Sequence, residues 1–378
     1  MGLFVTTDAK NIKEYLIEKA QKGCNTTLYP GDERRIFIEA VVTPLAVSLY
    51  NVIDDVAKQK MRRYARGEVL DAIGGDRCRR LEPQKAVTTL EFFTTEKADK
   101  DIVIPKGTTV TTNDDHDFVT DEEVILKIGS TNISVGASAA EGGAEYNGFD
   151  IGTIAVIVDD IEVDGCKNTE VSKDGDDGEP YDTEGDDRYR ERIALYEDAE
   201  STCGTESGYR YYALTADSSV ADVSVITPAE HDVESEYDVI IYIICQNGVL
   251  PGSSILQKVQ NACNDREHRP MCDHIHVESA EQVEYGVDVK VYVGAADMER
   301  ASEIIQKAVT TYVKEQDESI ASAINPDQLF AKVMKAQDND GNYLDIRRCT
   351  VNSPAYTELD YKQVGKCKSI NISYVNAG

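Results

Sequence analysis

Val239-Ile240-Ile241-Tyr242-Ile243-Ile244-Cys245 is the run on which the fold class turns. Seven consecutive apolar or aromatic residues leave no polar face for water, so the run predicts a central strand in a sheet covered on both sides. Around it the patterns alternate. A helix is expected over 207–217, carrying Tyr209, Tyr212 and Ala213, then a strand over 220–226. A helix over 254–263 and a strand over 274–278 follow. Such alternation predicts an α/β or α+β domain over 188–280. Residues 281–378 repeat the theme as a C-terminal α+β module: a strand over 283–293, helices over 298–314 and 326–336, and strands over 343–351 and 368–374. The two stretches share no residue-level repeat.

Toward the N-terminus the period changes. Extended, β-rich runs at 87–93, 102–104, 108–112 and 151–158 predict a β-rich domain over 85–158. Ile104-Pro105-Lys106-Gly107 has Pro second and Gly fourth, the type I turn pattern, and is expected to connect a hairpin. Residues 136–148, rich in Gly, Ala and Ser, are expected as a flexible surface loop. Between 158 and 187 thirteen acidic side chains face only Lys167 and Lys173, which predicts an acidic loop or linker over 159–187. A helix is expected to start at Asp186 or Asp187 and to run through Tyr189, Ile193 and Tyr196.

Residues 1–84 read as a helical N-terminal region. Ile38, Val41, Leu45, Leu49, Val52 and Val56 recur at spacings of three and four and paint one apolar stripe, the candidate subunit interface. Pro44 is expected to kink this run or to mark where one helix ends and the next begins. Lys58, Lys60, Arg62, Arg63 and Arg66 gather at its C-terminal end, where cations suit the helix dipole. The fold class is therefore multi-domain α+β: a helical N-terminal region, a β-rich middle domain and two α+β modules toward the C-terminus.

Composition bounds the function. The 378 residues hold 39 Lys and Arg against 69 Asp and Glu, a formal net charge of -30. Nucleic acid binding needs clustered cations that displace counterions, so nucleic acid is not an expected partner, nor is an anionic membrane surface. Nine Cys without a CxxC pair give no disulfide framework. The first residues show no basic segment followed by an apolar one, so no signal peptide is read and synthesis in a reducing cytoplasm is expected. The longest apolar stretch, 36–53, is interrupted by Glu39, Thr43, Pro44, Ser48 and Asn51 and reads as too polar and too short to span a bilayer, so no membrane insertion is expected.

Several constellations bear on chemistry. Cys263, His268, Cys272, His274 and His276 are residue types that zinc accepts, but alternate residues of a strand share one face, and the spacing fits no finger or HExxH helix. The runs 174–179 and 338–342 offer oxygen ligands suited to calcium without matching a twelve-residue loop. No GxSxG elbow, phosphate loop or distinct acid and base pair is present. The residues therefore indicate no cofactor, no metal, no small-molecule substrate and no catalytic residue.

Several separated segments, taken in order, resemble one family. They are Ala65-Arg66-Gly67-Glu68-Val69-Leu70-Asp71 with Arg77, 83–86 and 90–92; Ile104-Pro105-Lys106-Gly107-Thr108-Thr109-Val110 with Phe118-Val119-Thr120; and Asn147-Gly148 with Ile151-Gly152-Thr153-Ile154. Asp186-Asp187-x-Tyr189-Arg190-x-Arg192-Ile193 follows, then Gly204-Thr205 with Tyr209 and Ala213, Val220-x-Asp222-Val223, and Arg269-Pro270. Together they resemble the baseplate J-like proteins of contractile phage tails and phage-tail-like particles. The sequence departs from that pattern in its acidic segment 159–187 and its Cys- and His-rich stretch.

The resemblance implies a non-enzymatic structural protein: a wedge subunit, made in a bacterial cytoplasm, that joins copies of itself and other baseplate wedge and hub proteins into a ring around the tail hub. It further implies that these contacts rearrange when the sheath contracts. The competing expectation is a metal-dependent binding module or hydrolase using the Cys263 to His276 cluster or the acidic loop.

Overall fold

A computed structural model describes residues 8–112, 116–200, 203–227, 237–338 and 342–377. The chain divides into two compact units, Met1–Arg80 with Glu179–Ile193, and Leu81–Gly178 with Ala194–Gly378.

The first unit is helical. Helix α1 (Ala9–Cys24) starts where the Asp8 carboxylate accepts from Lys10 N–H and stops at Asn25, whose left-handed conformation suits a C-cap. Helix α2 (Glu33–Phe37) is capped by Asp32 and passes through a single wide π turn, Ile38–Val42, into α3 (Thr43–Gln59). The proline is expected to interrupt this run, and the interruption it makes is this π turn. Pro44 has no N–H to donate, and the widened turn lets Thr43 N–H and Thr43 Oγ1 both reach Ile38 O, the hydroxyl at 2.8 Å. Glu33–Gln59 is consequently one helix of 27 residues, the one described helix long and apolar enough by length and composition to cross a membrane. At 1.5 Å per residue it spans roughly 40 Å, which corrects the reading of this stretch as too short. Helix α4 (Gly67–Gly74) and the first eleven residues of α5 (Thr183–Ala199) complete the unit. Helix α5 begins before the expected Asp186 because Asp182 caps it, accepting from Gly185 N–H at 2.8 Å.

The second unit begins with β1 (Val87–Phe93), whose Thr88, Leu90 and Phe92 point inward. Strands β2 (Ile102–Ile104), β3 (Thr109–Thr111), β4 (Asp117–Thr120), β5 (Val124–Leu126), β6 (Asn132–Ala139), β7 (Val156–Ile157) and β8 (Gly165–Asn168) follow. Six of them form one sheet in the order β7-β3-β4-β6-β1-β8, while β2 and β5 pair separately. Their shared core includes Leu90, Phe92, Ile104, Val110, Phe118 and Ile154.

Three expectations change here. Ile104 to Gly107 joins strands of two different sheets, so it is no hairpin; the turn closes one residue later, with Thr108 N–H donating to Pro105 O and Gly107 at φ +84°. That positive φ at the third position is the type II pattern. Gly136 to Ala139 extend β6, paired with β1 and β4, rather than looping over the surface. The acidic stretch contributes β8, which pairs with β1, and buries Asn168, Ser172 and Asp176, so part of the expected linker is woven into the sheet.

Helix α6 (Glu206–Ala216), β9 (Val220–Ile226), β10 (Asp238–Cys245), α7 (Ser253–Cys263) and β11 (His274–Ser279) form the next layer pair. Strand β10 is central, antiparallel to β9 and parallel to β11. Val239, Ile241 and Ile243 face Val223, Tyr209, Ala213, Val259 and Cys263, while Tyr242 and Ile244 pack with Ile226, Ile320 and Val364. Both faces are covered, as the unbroken apolar run requires.

The last sheet, β13-β12-β14, holds β12 (Glu281–Val293) between β13 (Ile346–Ser353) and β14 (Gln363–Asn376). Helices α8 (Met298–Asp317) and α9 (Pro326–Met334) lie on it, with Val287, Val289, Val291 and Val293 against Ala301, Ile305, Val309, Leu329 and Val333. Period-2 burial in the strand meets a 3.6-residue stripe on the helix.

Candidate assembly surface and a buried motif clamp

The proposed interface residues sit on α3 and the π turn before it. Val41, Leu45, Leu49, Val52 and Val56 are exposed, Leu45 at 70%, and Ile38 is half-buried. Ile36, Phe37 and Ile53 beside them are exposed as well. The same helix buries Thr43 and Asp54, the latter paired with Lys58 at 2.8 Å. An amphipathic helix that turns its apolar side outward inverts the usual arrangement.

The sequence motif Asp186 to Ile193 has a different role. Four of its polar side chains, Asp186, Tyr189, Arg190 and Arg192, reach the segment 62–80 within the same unit. Asp186 accepts from Gly67 N–H at 2.9 Å and from Arg80 at 2.7 Å. Tyr189 donates its hydroxyl to Cys78 O at 2.6 Å. Arg190 donates to Arg62 O at 2.9 Å and to Ala65 O at 2.8 Å. Arg192 grips both carboxylate oxygens of Glu179, at 2.7 and 2.8 Å, and donates to Arg79 O at 2.6 Å. The two side chains of that pair are 3% and 1% exposed, so the charges are held out of water by each other.

Arg80 occupies the centre. It donates to Asp71 and Asp186 and lies between the rings of Tyr181 and Tyr189, 4.5 and 4.7 Å from their centroids. Burial works against its charge, yet Asp186 and Asp71 hold the guanidinium above its ordinary pKa. Burial pushes the Tyr189 phenol up to about 12, so it stays a neutral donor. Gly74 is required beside it, because a Cβ there would lie 2.1 Å from the Tyr189 hydroxyl. This arrangement holds backbone carbonyls and a loop in place.

Sequence reasoning missed Glu179, Asp71, Tyr181 and Arg80 as members of this cluster. Glu179 stands in the acidic run, where composition suggests solvation. Its only local signal is Arg192 on the helix that follows.

The Cys and His cluster is not brought together. Cys263 is buried under α6, its thiol directed at Tyr209 O and pushed up to about 12 by burial. His268 stacks on Tyr212 with centroids 4.5 Å apart, and Cys272 is exposed. His274 and His276 approach one oxygen of Asp238, at 3.4 and 3.6 Å. Among the described residues no group of three or more His, Cys, Asp and Glu is arranged to hold a metal ion.

Three carboxylates of the run 174–179 are spent on protein donors. Asp176 accepts from Gly178 N–H and Gln246, Asp177 from Ala144 N–H, and Glu179 from Arg192. Of the second calcium candidate, 338–342, residues 339–341 lie outside the described residues, and Asp338 is paired with Arg300 at 2.7 Å.

The six-stranded antiparallel sheet and the α+β layer built on β10 each coincide with a domain of known proteins. Residues 89–175 match the Baseplate J-like protein barrel domain and residues 201–279 the Baseplate J-like central domain. Two segments of the chain thus match, in order, the barrel and central domains of baseplate J-like proteins. The chain is 33% identical over 110 residues to the "Baseplate protein J" of Escherichia phage P2, a match covering 29% of this chain. The matched part spans 35% of the length of that relative. Among solved structures it is similar to a chain of the cryo-EM structure of the anti-feeding prophage (AFP) baseplate, 6-fold symmetrised, at 10% identity and a TM-score of 0.41, covering 95% of this chain and 89% of that one.

Proposed function

We propose that this chain is a non-catalytic structural subunit of a contractile-tail or tail-like baseplate, a wedge component that contacts other wedge and hub proteins and copies of itself. The outward row Val41, Leu45, Leu49, Val52 and Val56 carries this reading. A protein that acts alone gains nothing from exposing these side chains, and covering them with a partner's apolar surface is favourable by roughly 1 kcal/mol or more for each. The family match and the wholly structural use of the Asp186 to Ile193 motif support it. The wedge contacts are expected to sit in a ring around the tail hub and to shift between two packed arrangements on sheath contraction.

Leu45→Arg/Leu49→Arg tests the interface. The variant is expected to keep the circular dichroism and melting behaviour of the parent chain, since both sites are exposed. Co-expressed with the other proteins of the same particle, it should fail to enter wedge- or ring-shaped complexes seen by negative-stain electron microscopy. Normal complexes containing the variant would refute the assignment of this face. Recovery of the parent chain in membranes, lost in the variant, would assign the helix to lipid instead.

A further inference from the structure

The C-terminal module carries a second surface with a different chemistry. Helices α8 and α9 leave between them a groove of about 380 Å³, open to solvent. One wall is Ile304, Lys307, Ala308 and Thr311, spaced i, i+3, i+4 and i+7 along one face of α8. The other is Ala331, Lys332, Lys335 and Ala336 on and just beyond α9. The floor is therefore small and apolar and the rim is cationic.

That rim stands out against its surroundings. Residues 298–336 hold five basic and six acidic side chains; three of the bases line the groove and none of the acids does. In a chain with 69 acidic residues against 39 basic ones, a groove whose lining includes three lysines and no acidic residue favours the opposite charge in its occupant. Lys332 also meets Glu315 at 2.6 Å, an exposed pair that an incoming carboxylate can exchange with. Small residues at Ala308 and Ala331 allow a third helix to approach closely.

We infer that the groove between α8 and α9 is a docking site for an acidic amphipathic helix presented by a neighbouring protein of the same assembly. The apolar stripe of that helix lies on Ile304, Ala308 and Ala331, and its carboxylates meet Lys307, Lys332 and Lys335. This inference rests on the assembly role proposed above and adds the chemistry of one partner to it.

A photo-crosslinking residue placed at Lys335 of the full chain, co-expressed with the other proteins of the particle, tests the site. Crosslinks should map to an acidic helix of a neighbour. The Lys307→Glu/Lys335→Glu variant should bind that neighbour at least about tenfold more weakly, and high salt should weaken the parent chain but not the variant. Lys307→Gln/Lys335→Gln supplies the same readout if charge reversal disturbs folding. Unchanged affinity in both variants, or crosslinks to a non-acidic segment or to nucleic acid, would overturn the inference. Complexes that form normally without a Lys335 crosslink would overturn it alone, whereas failure of any complex to form would also remove the assembly role.

Discussion

Glu179→Ala is the most informative single perturbation of the first unit. In the native chain the Glu179 carboxylate neutralises Arg192 with two hydrogen bonds, and both side chains are almost wholly out of water. Truncation leaves the guanidinium buried with the Arg79 carbonyl as a remaining acceptor, at 2.6 Å. Removing one partner of such a pair costs about 3–5 kcal/mol, most of it the unpaired charge rather than the lost attraction. The double variant Glu179→Leu/Arg192→Met removes both charges and keeps apolar volume, so its loss should be much smaller than the sum of the single losses. Because the chain holds two compact units, the readout should be local: hydrogen exchange by mass spectrometry on peptides covering 62–80 and 183–193, beside urea denaturation followed by far-UV circular dichroism. Faster exchange confined to those peptides in Glu179→Ala, with recovery in the double variant, is expected. Single variants within about 0.5 kcal/mol of the parent, or a double variant whose loss is the simple sum, would refute the clamp.

Other expectations concern single sites. Gly74→Ala should destabilise the first unit by about 2 kcal/mol or more through the clash with Tyr189, and Tyr189→Phe in the same chain should recover part of it, measured by the same exchange experiment. Asp317 is buried, which holds its carboxyl above the ordinary range despite the Cys367 amide, Tyr285 and Lys366 around it. A raised acid favours the folded state at low pH and loses that contribution as pH rises from near 4 through the folded value. Asp317→Asn should therefore flatten the pH dependence of melting above about pH 4, and an unchanged profile would show that Asp317 does not supply it.

Much of the framework was legible in the residues. The run at 239–245 had to be covered on both faces, and β10 is central because no position in that run could meet water. Strand β1 coincides with the alternation at 87–93, and α6, α7 and α8 follow their periodic stripes. The stripe from Ile38 to Val56 was visible as well, though its spacing said only that one face is apolar, not that the chain leaves that face uncovered.

What the sequence by itself determined is everything a local period can encode: which segments are helix or strand, which side of each is apolar, and the order of motifs that resembles the baseplate J-like family. Tertiary structure decided the rest. Glu179 reads as solvated among acidic neighbours, and it is the two-pronged ion pair with the buried Arg192 that makes its burial affordable. The β8 strand is hidden in the same acidic run, because it exists through its pairing with β1 more than seventy positions earlier. A Cys and His cluster that is compact in sequence is spread over a helix, a turn and a strand. Charge, burial and strand pairing are properties of neighbours in space, and a chain's local pattern does not specify which distant residues those neighbours will be.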